Sequence, residues 1–383
     1  MQVLEGVRVA DFSESLAGPF CGQILADLGA DVVKLERPGG DPGRAWGPPF
    51  WGGEAAMFLA ANRGKRSVEL DLRTSLGSEA AKRLIAGSDV VLQSFRAGVA
   101  ARLGIDYDAA RRLNSRVIYC SISAYGPRGP RNAQPGYDPL IQAYAGIMSV
   151  TGNDGGPARS GVSLVDMGSG LAAALAIVGA LRRRDATGVG ALISAPLLDT
   201  ALVWMSYHLM GYLATGVVPG PRGAQLAMIA PYGAYPTADG AWIMIGAATD
   251  ALFETLCGAL GSESLARDPR FGTNPDRVAN RDALDAELVS RTGSVGKHAL
   301  LARLEAAGVP CAPIQRVDEV VRDPQVEASG ALRRVERAGT PGYADVALPF
   351  EVDGERPAAV RPVPGLGEHT TEVLRELGLP ADD

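Results

Sequence analysis

Histidine is nearly absent: the 383 residues contain three, His208, His298 and His369, far apart in the chain. With no H-E-x-x-H run and no G-x-S-x-G elbow, neither a zinc hydrolase nor a serine–histidine triad has the residues it needs. Cysteine is almost as scarce. Cys21, Cys120, Cys257 and Cys311 form no C-x-x-C pair, which argues against a disulfide framework or a metal ribbon. Free thiols are expected, and the opening Met1-Gln2-Val3-Leu4-Glu5 has no signal-peptide pattern, so a cytoplasmic location is expected. No metal is anticipated. The chain also lacks a basic excess: its net charge of −6 argues against a nucleic-acid or anionic-membrane partner, though not against a local basic site for an anionic cofactor. No repeat or low-complexity block interrupts it. The one long apolar stretch, Thr200 to Val218, is broken by Tyr, Ser, His and Gly and lacks basic flanks. It suits a helix buried between domains or subunits better than a membrane span.

What is present is an ordinary enzyme composition, 46% hydrophobic and 21% charged, with 48 Gly and 26 Pro. The length allows two domains at roughly 100–200 residues each. Gly6 to Phe12 has strand chemistry, Ser13 to Pro19 reads as a turn, Phe20 to Leu28 has helical spacing, and Asp31 to Leu35 reads as a second strand. This βαβ opening predicts a parallel sheet. Its first loop is not G-x-G-x-x-G, so the nicotinamide-dinucleotide fingerprint is missing. Gly64-Lys65-Arg66-Ser67 lacks the first glycine of a phosphate loop. Strand patterns recur at Ser67 to Leu72, Asp89 to Leu92 and Val117 to Ser121, with a helix at Ser78 to Ile85, and the alternation continues through Leu181.

The pattern changes near Pro196. Val218-Pro219-Gly220-Pro221 is a linker by composition. Ile229 to Tyr235 and Trp242 to Ile245 bracket Thr237-Ala238-Asp239-Gly240, a hairpin signal, and helices are expected at Ala251 to Leu260, Arg281 to Val289 and His298 to Ala307. The chain thus divides into 1–195, a linker over 196–224, a small α+β domain over 225–314, and a returning segment over 315–383 that ends in a short helix at Thr370 to Leu377.

Asp166 is the only ionisable residue between Arg159 and Arg182. An unpaired carboxylate in so apolar a stretch needs compensation, because burying even a polar group costs roughly 2–7 kcal/mol. Two roles fit it. It suits the N-cap of a helix from Leu171 to Leu181, and it suits a carboxylate nucleophile beside the small residues Gly168, Ser169 and Gly170.

Several separated motifs resemble one family. V-A-D-F-S-E-S-L-A-G-P (Val9 to Pro19), G-A-D-V-V-K-L-E-R-P-G-G-D (Gly29 to Asp41), N-R-G-K-R-S-V-E-L-D-L (Asn62 to Leu72), P-G-Y-D-P-L-I-Q-A-Y-A-G (Pro135 to Gly146), I-A-P-Y-G-A-Y (Ile229 to Tyr235) and G-L-G-E-H-T-T-E-V-L-R-E-L-G-L (Gly365 to Leu379) occur in order. Together they resemble the family III CoA-transferases, a group that also includes α-methylacyl-CoA racemases and carnitine- and formyl-CoA transferases. The resemblance implies an α/β fold: a large Rossmann-like domain with a parallel sheet built from both chain ends, plus the smaller α+β domain. It also implies an interlocked homodimer.

By the same resemblance Asp166 is the catalytic aspartate, attacking an acyl-CoA thioester and then carrying CoA as an aspartyl thioester to a free carboxylate. Coenzyme A is the acyl carrier. Arg37, Arg73 and Arg102 are implied as phosphate contacts, with Leu70 and Phe95 flanking the adenine or pantetheine. A basic residue found in some members is replaced by Pro135. Backbone amides near Gly168 to Gly170 are expected to face the oxyanion, and Arg182-Arg183-Arg184 to cap a helix C-terminus. The alternative reaction is acyl-CoA racemisation. Racemase relatives carry G-H-D where this chain has Gly136-Tyr137-Asp138, and a phenol, with a reference pKa of ~10, is a poorer proton-transfer group than an imidazole near ~6.5. Tyr137 therefore favours transfer. The substrate pocket is expected to include Leu16, Tyr137 and Gly168. Formyl- and oxalate-handling relatives have a glutamine in place of Leu16 and a glycine run where this chain reads Gly223-Ala224-Gln225-Leu226-Ala227-Met228-Ile229. Oxalate and formyl-CoA are therefore expected to be poor substrates. Succinate, a branched dicarboxylate and an aromatic acid all remain open.

Overall fold

The computed structural model describes residues 2–153, 155–337 and 339–381. It divides into two units: residues 1–147, 159–217 and 324–383 form the larger, and 148–158 with 218–323 the smaller.

The larger unit is organised by six parallel strands: β1 (Arg8–Phe12), β2 (Asp31–Glu36), β3 (Lys65–Glu69), β4 (Val90–Gln93), β5 (Ile118–Ser123) and β6 (Ala191–Pro196). Their order across the sheet is β3-β2-β1-β4-β5-β6, which is the doubly wound arrangement of dinucleotide-binding folds. Helices α1 (Ala17–Asp27), α2 (Ser75–Ala86), α3 (Tyr107–Leu113), α4 (Asp138–Tyr144), α5 (Leu164–Thr187), α6 (Leu197–Trp204) and α7 (Ser206–Thr215) follow the strands. Strand alternation decides which side chain meets which face. Ala10 and Phe12 of β1 join Leu84 and Ile85 of α2 in the core on one side. Asp11 points the other way, under α1, where a Cβ on Gly22 would come within 2.8 Å of its carboxylate. Each large apolar side chain fully buried in this way contributes roughly 1.5–3 kcal/mol.

The larger unit does draw on both ends of the chain, with one difference from expectation: all six sheet strands come from residues 8–196. The returning segment supplies the hairpin β10 (Leu332–Arg334) and β11 (Ala344–Val346) and the helix α11 (Thr370–Glu376). That helix is tied to the sheet by charge. Arg66 of β3, almost fully buried, donates to Asp31 (2.6 Å), Glu372 (2.9 Å) and Glu376 (2.6 Å). The edge strand β6 was not legible in advance, and the supposed linker over 196–224 is helical as far as Thr215. Helices α6 and α7 split the Thr200 to Val218 stretch at Met205, and Val203, Trp204, Tyr207, Met210 and Leu213 on them are exposed in this chain rather than buried. Among the described residues one helix, α5, is long and apolar enough to cross a membrane, and it packs along α1.

The smaller unit pairs β7 (Tyr232–Pro236), β8 (Trp242–Gly246) and β9 (Cys311–Pro313) antiparallel, and packs α8 (Asp250–Ala259), α9 (Arg281–Thr292) and α10 (Lys297–Ala306) on them. The expected hairpin is present. The segment before it is clamped by two buried arginines. Arg281 donates to the carbonyls of Leu226, Ala227 and Ile229 at 2.9–3.0 Å, and Arg277 to that of Ala230 at 2.7 Å.

Candidate active site

Doubly wound sheets bind ligands beyond the carboxyl ends of their strands, where the strand order reverses. Here the reversal lies between β1 and β4, and the loops after these strands, Ser13 to Leu16 and Ser94 to Gly98, begin the site. A cavity of about 450 Å³ opens there, walled by Glu14, Ser15, Ser94 to Ala97, the segment Asn132 to Tyr137, and Asp166. A second cavity of about 610 Å³ is walled by Arg37, Leu70, Arg73, Phe95 and Arg102. Glu14, Arg37, Phe95 and Val99 line both, so the two adjoin.

The loop after β1 is held by a buried ionic lattice made from the residues of the first three motifs. Lys34 donates to the carbonyl of Ser13 (2.6 Å) and to Asp41 (2.8 Å), and Asp41 in turn accepts the amides of Ser15 (3.0 Å) and Gly43 (2.8 Å). Lys65 reaches Asp11 (2.9 Å), the carbonyl of Pro19 (2.8 Å) and Asn62 (2.8 Å). Burial pulls the Lys65 ammonium down to about 8, while Asp11 opposes the shift. This lattice keeps Ser15 at φ +77°, a left-handed conformation uncommon for a residue with a Cβ and frequent at functional sites. The chemistry-bearing look of these motifs thus belongs to scaffolding that shapes the cavity wall.

Asp166 lies in the first turn of α5, which starts seven residues before the expected Leu171. It is therefore not the N-cap; that position is Ser163, whose side chain makes no capping bond. The cap comes from another helix. Asp138, buried at the start of α4, accepts the amides of Val165 (2.8 Å) and Asp166 (3.1 Å). Its other oxygen accepts Gln142, whose own carbonyl takes the amide of Ser160 (2.9 Å). Amides at a helix start favour an anionic acceptor. Asp166 itself is half-buried, and burial first, then the adjacent Asp138, raises its carboxyl to about 7.

The glycines after Asp166 serve packing. A Cβ at Gly170 would lie 2.8 Å from the Ala17 carbonyl on α1, and one at Gly168 would lie 2.7 Å from the Trp204 ring. Gly168 lies under Trp204 and does not line the cavity. The amides of Gly168 to Gly170 lie within the helix rather than among its free first-turn donors, so the oxyanion expectation for them is corrected. Leu16 is buried behind the wall while Ser15 and Ala17 face the cavity. Its side chain therefore cannot reject oxalate by contact. Tyr137 lines the cavity, half exposed, edge-on to Trp46 at 5.9 Å. In the second cavity Arg73 is paired with Asp71 at 2.8 Å, and Arg37 approaches Glu14 at 3.8 Å. The supposed helix cap Arg184 instead pairs with Asp89 at 2.8 Å, and Arg183 donates to the Gly190 carbonyl.

Sequence reasoning missed Glu14, Arg96, Gln134 and Asp138. Asp138 had a signal, since an acid before Pro139 at a helix start is a natural partner for amide groups. Arg96 had none, because only the fold brings the loop after β4 to Asp166.

The family model for CoA-transferase family III matches residues 4–370. A succinate–glutarate CoA-transferase of Agrobacterium fabrum is 39% identical over 98% of this chain and 95% of its own length. An acetyl-CoA:oxalate CoA-transferase of Acetobacter aceti is 36% identical over 98% and 96%. The crystal structure of a CaiB/BaiF family protein from Brucella suis superposes with a TM-score of 0.88 at 40% identity, covering 98% of this chain and 99% of that one. Matched over nearly its whole length by that model and by relatives named for CoA transfer, this chain belongs to CoA-transferase family III.

Proposed function

We propose that the protein moves CoA from an acyl-CoA to a free carboxylate, with Asp166 as the covalent carrier. The observation that carries this is the placement of Asp166 in a cavity that adjoins a second one lined by Arg37, Arg73 and Arg102. A thioester can thus lie with its phosphates among cations and its carbonyl near the carboxylate. The protein groups suit CoA: three arginines for phosphate, Leu70 and Phe95 for the apolar arm.

The Asp166 carboxylate oxygen attacks the thioester carbon, the C–S bond breaks, and CoA leaves as thiolate, giving an acyl–aspartyl anhydride. The thiolate then attacks the aspartyl carbonyl, releasing the donor carboxylate and leaving CoA on Asp166. The acceptor carboxylate repeats both steps in reverse and regenerates Asp166. Thioester energy is conserved throughout, and orientation in the cavity supplies effective molarities on the order of 10⁵ M or more. A homodimer is part of the same proposal. It is supported by the exposed apolar side chains of α5 to α7, a kind of surface that soluble monomers rarely leave uncovered.

Incubation with acyl-CoA and hydroxylamine or borohydride should modify Asp166, located by peptide mass, and Asp166→Ala should lose transfer while keeping its circular dichroism. Modification at Glu14, the other carboxylate in that cavity, would instead move the carrier role there. Solvent deuterium should not enter the acyl α-carbon on the timescale of transfer; rapid exchange would favour racemisation.

A further inference from the structure

The C-terminal motif from Gly365 to Leu379 has no part in the transfer steps above, yet a line of buried hydrogen bonds runs from it to the Asp166 cavity. Gly367 stands at φ +67°, and a Cβ there would come within 3.2 Å of the Glu69 and Thr370 side chains. Its amide donates to the Ser67 hydroxyl at 2.9 Å. His369 grips the same residue: its amide donates to the Ser67 carbonyl (2.9 Å), and its Nδ1 accepts the Ser67 amide (3.3 Å). The Ser67 hydroxyl, fully buried, donates in turn to Glu36 at 2.6 Å.

Glu36 is where the bonds converge. It is almost fully buried, and its carboxylate accepts two bonds from Arg44 at 2.7 Å and one from the Asp41 amide at 3.0 Å. Arg44 also reaches the Pro364 carbonyl at 3.3 Å, a second link to the returning segment. Burial pushes the Glu36 carboxyl up, but the Arg44 bonds and the Lys34 ammonium outweigh it and hold it at about 2, so the acceptor is an anion near neutral pH. From Asp41 the remaining step is short. Its side chain takes the Ser15 amide at 3.0 Å, and Ser15 lines the Asp166 cavity.

We propose that Ser67 and Glu36 are positioning residues, through which the C-terminal motif sets the loop from Ser13 to Ala17 that walls the Asp166 cavity. This role rests on the transfer reading above and supplies the device that keeps its site in shape. In the alternative, each bond only fastens its own neighbours: the motif docks on β3, and Lys34 and Asp41 alone fix the loop. Buried hydrogen bonds joined in one network couple to each other, whereas separate ones contribute independently. The two cases therefore differ in what a change at Ser67 does to the loop.

Hydrogen–deuterium exchange and steady-state transfer are measured on the wild type, Ser67→Ala, Glu36→Gln and the double variant, with Thr370→Ala as the control. Thr370 accepts the Glu69 amide at 3.0 Å on the same strand, off the path to Glu36. Ser67→Ala should raise exchange in the peptide from Ser13 to Gly18 by about 5-fold, as the loss of one hydrogen bond would. It should also lower kcat on the order of 10-fold while the KM for acyl-CoA moves far less, because a misplaced wall costs orientation at the reacting centre. Thr370→Ala should loosen only the C-terminal motif and β3, and the double variant should lose no more activity than the worse single one. Exchange in Ser67→Ala that rises only at β3 and the motif, an equal rise at the loop in Thr370→Ala, or losses that multiply in the double variant each overturn the proposal. Should Glu36→Gln not fold, Ser67→Ala and Thr370→Ala decide by exchange alone. A wild type that transfers no CoA overturns the transfer reading, and the exchange pattern still judges this one.

Discussion

At Asp166, burial and the adjacent Asp138 act in the same direction, and both favour the protonated acid. A nucleophile must be the anion, so kcat/KM should rise with pH toward a midpoint at about 7. Asp138→Asn keeps an oxygen for the Val165 and Asp166 amides but removes the charge. The midpoint should move to lower pH in that variant, and an unmoved profile would show that Asp138 serves only as a cap. The same shift acts on stability. Because the folded pKa exceeds the unfolded value, the stabilisation it gives is present at acid pH and is lost as pH rises through about 7. Asp166→Asn should therefore unfold above the wild type at pH 8, by roughly 1–3 kcal/mol after allowing for solvent access, with the gap closing by pH 4. Calorimetry at the two pH values checks it. Asp166 could be picked out in the sequence because it stands alone between Arg159 and Arg182. Asp138 carried only the local signal of an acid before a helix-start proline, since its partners Val165 and Asp166 lie 27 and 28 residues away in the chain.

At the scale of elements, the contact of α5 with α1 sets where Asp166 stands. The helices approach through Gly170, and a methyl group there meets the Ala17 backbone, which cannot yield as a side chain would. Gly170→Ala should destabilise by about 1–3 kcal/mol and lower kcat by displacing the first turn of α5. A thermal shift with unchanged kcat would mean that the turn is positioned independently of α1. The same helix shows what periodicity reveals and what it conceals. Strands β1 to β5 were legible from short β-branched runs bounded by turn residues. The start of α5 was not read, although Ser163-Leu164-Val165-Asp166 has the spacing of a capping box; in the fold Ser163 makes no capping bond and the cap is supplied by α4. β6 escaped for a related reason: Ala191 to Pro196 holds a single β-branched residue, Ile193, and its pairing with β5 depends on the whole sheet. Likewise Lys34, Asp41 and Lys65 carried family motifs without revealing that they brace one another beneath the cavity.

For the molecule as a whole, Leu175, Leu192, Val203, Met210 and Leu213 remain exposed on α5, β6, α6 and α7. Sedimentation at micromolar concentration should give a dimer, and Leu213→Asp should weaken it or leave the chain insoluble; a well-behaved wild-type monomer would refute the assembly. The smaller unit takes in 148–158 as well as 218–323, and nothing local in the sequence marks that excursion. The ion cluster at Arg66 bears on how the protein is made. Its carboxylate partners on α11 stand 306 and 310 residues further along the chain. During synthesis the guanidinium at the β3 edge is therefore made with one of its three carboxylate partners already in the chain and the other two still to come. Domains tend to complete as their chain emerges, but Arg66, which Asp31 can meet at once, waits a further 306 residues for the first of its glutamates. A chain stopped before Thr370 would thus leave a gap not at its own end but at the far edge of the six-stranded sheet.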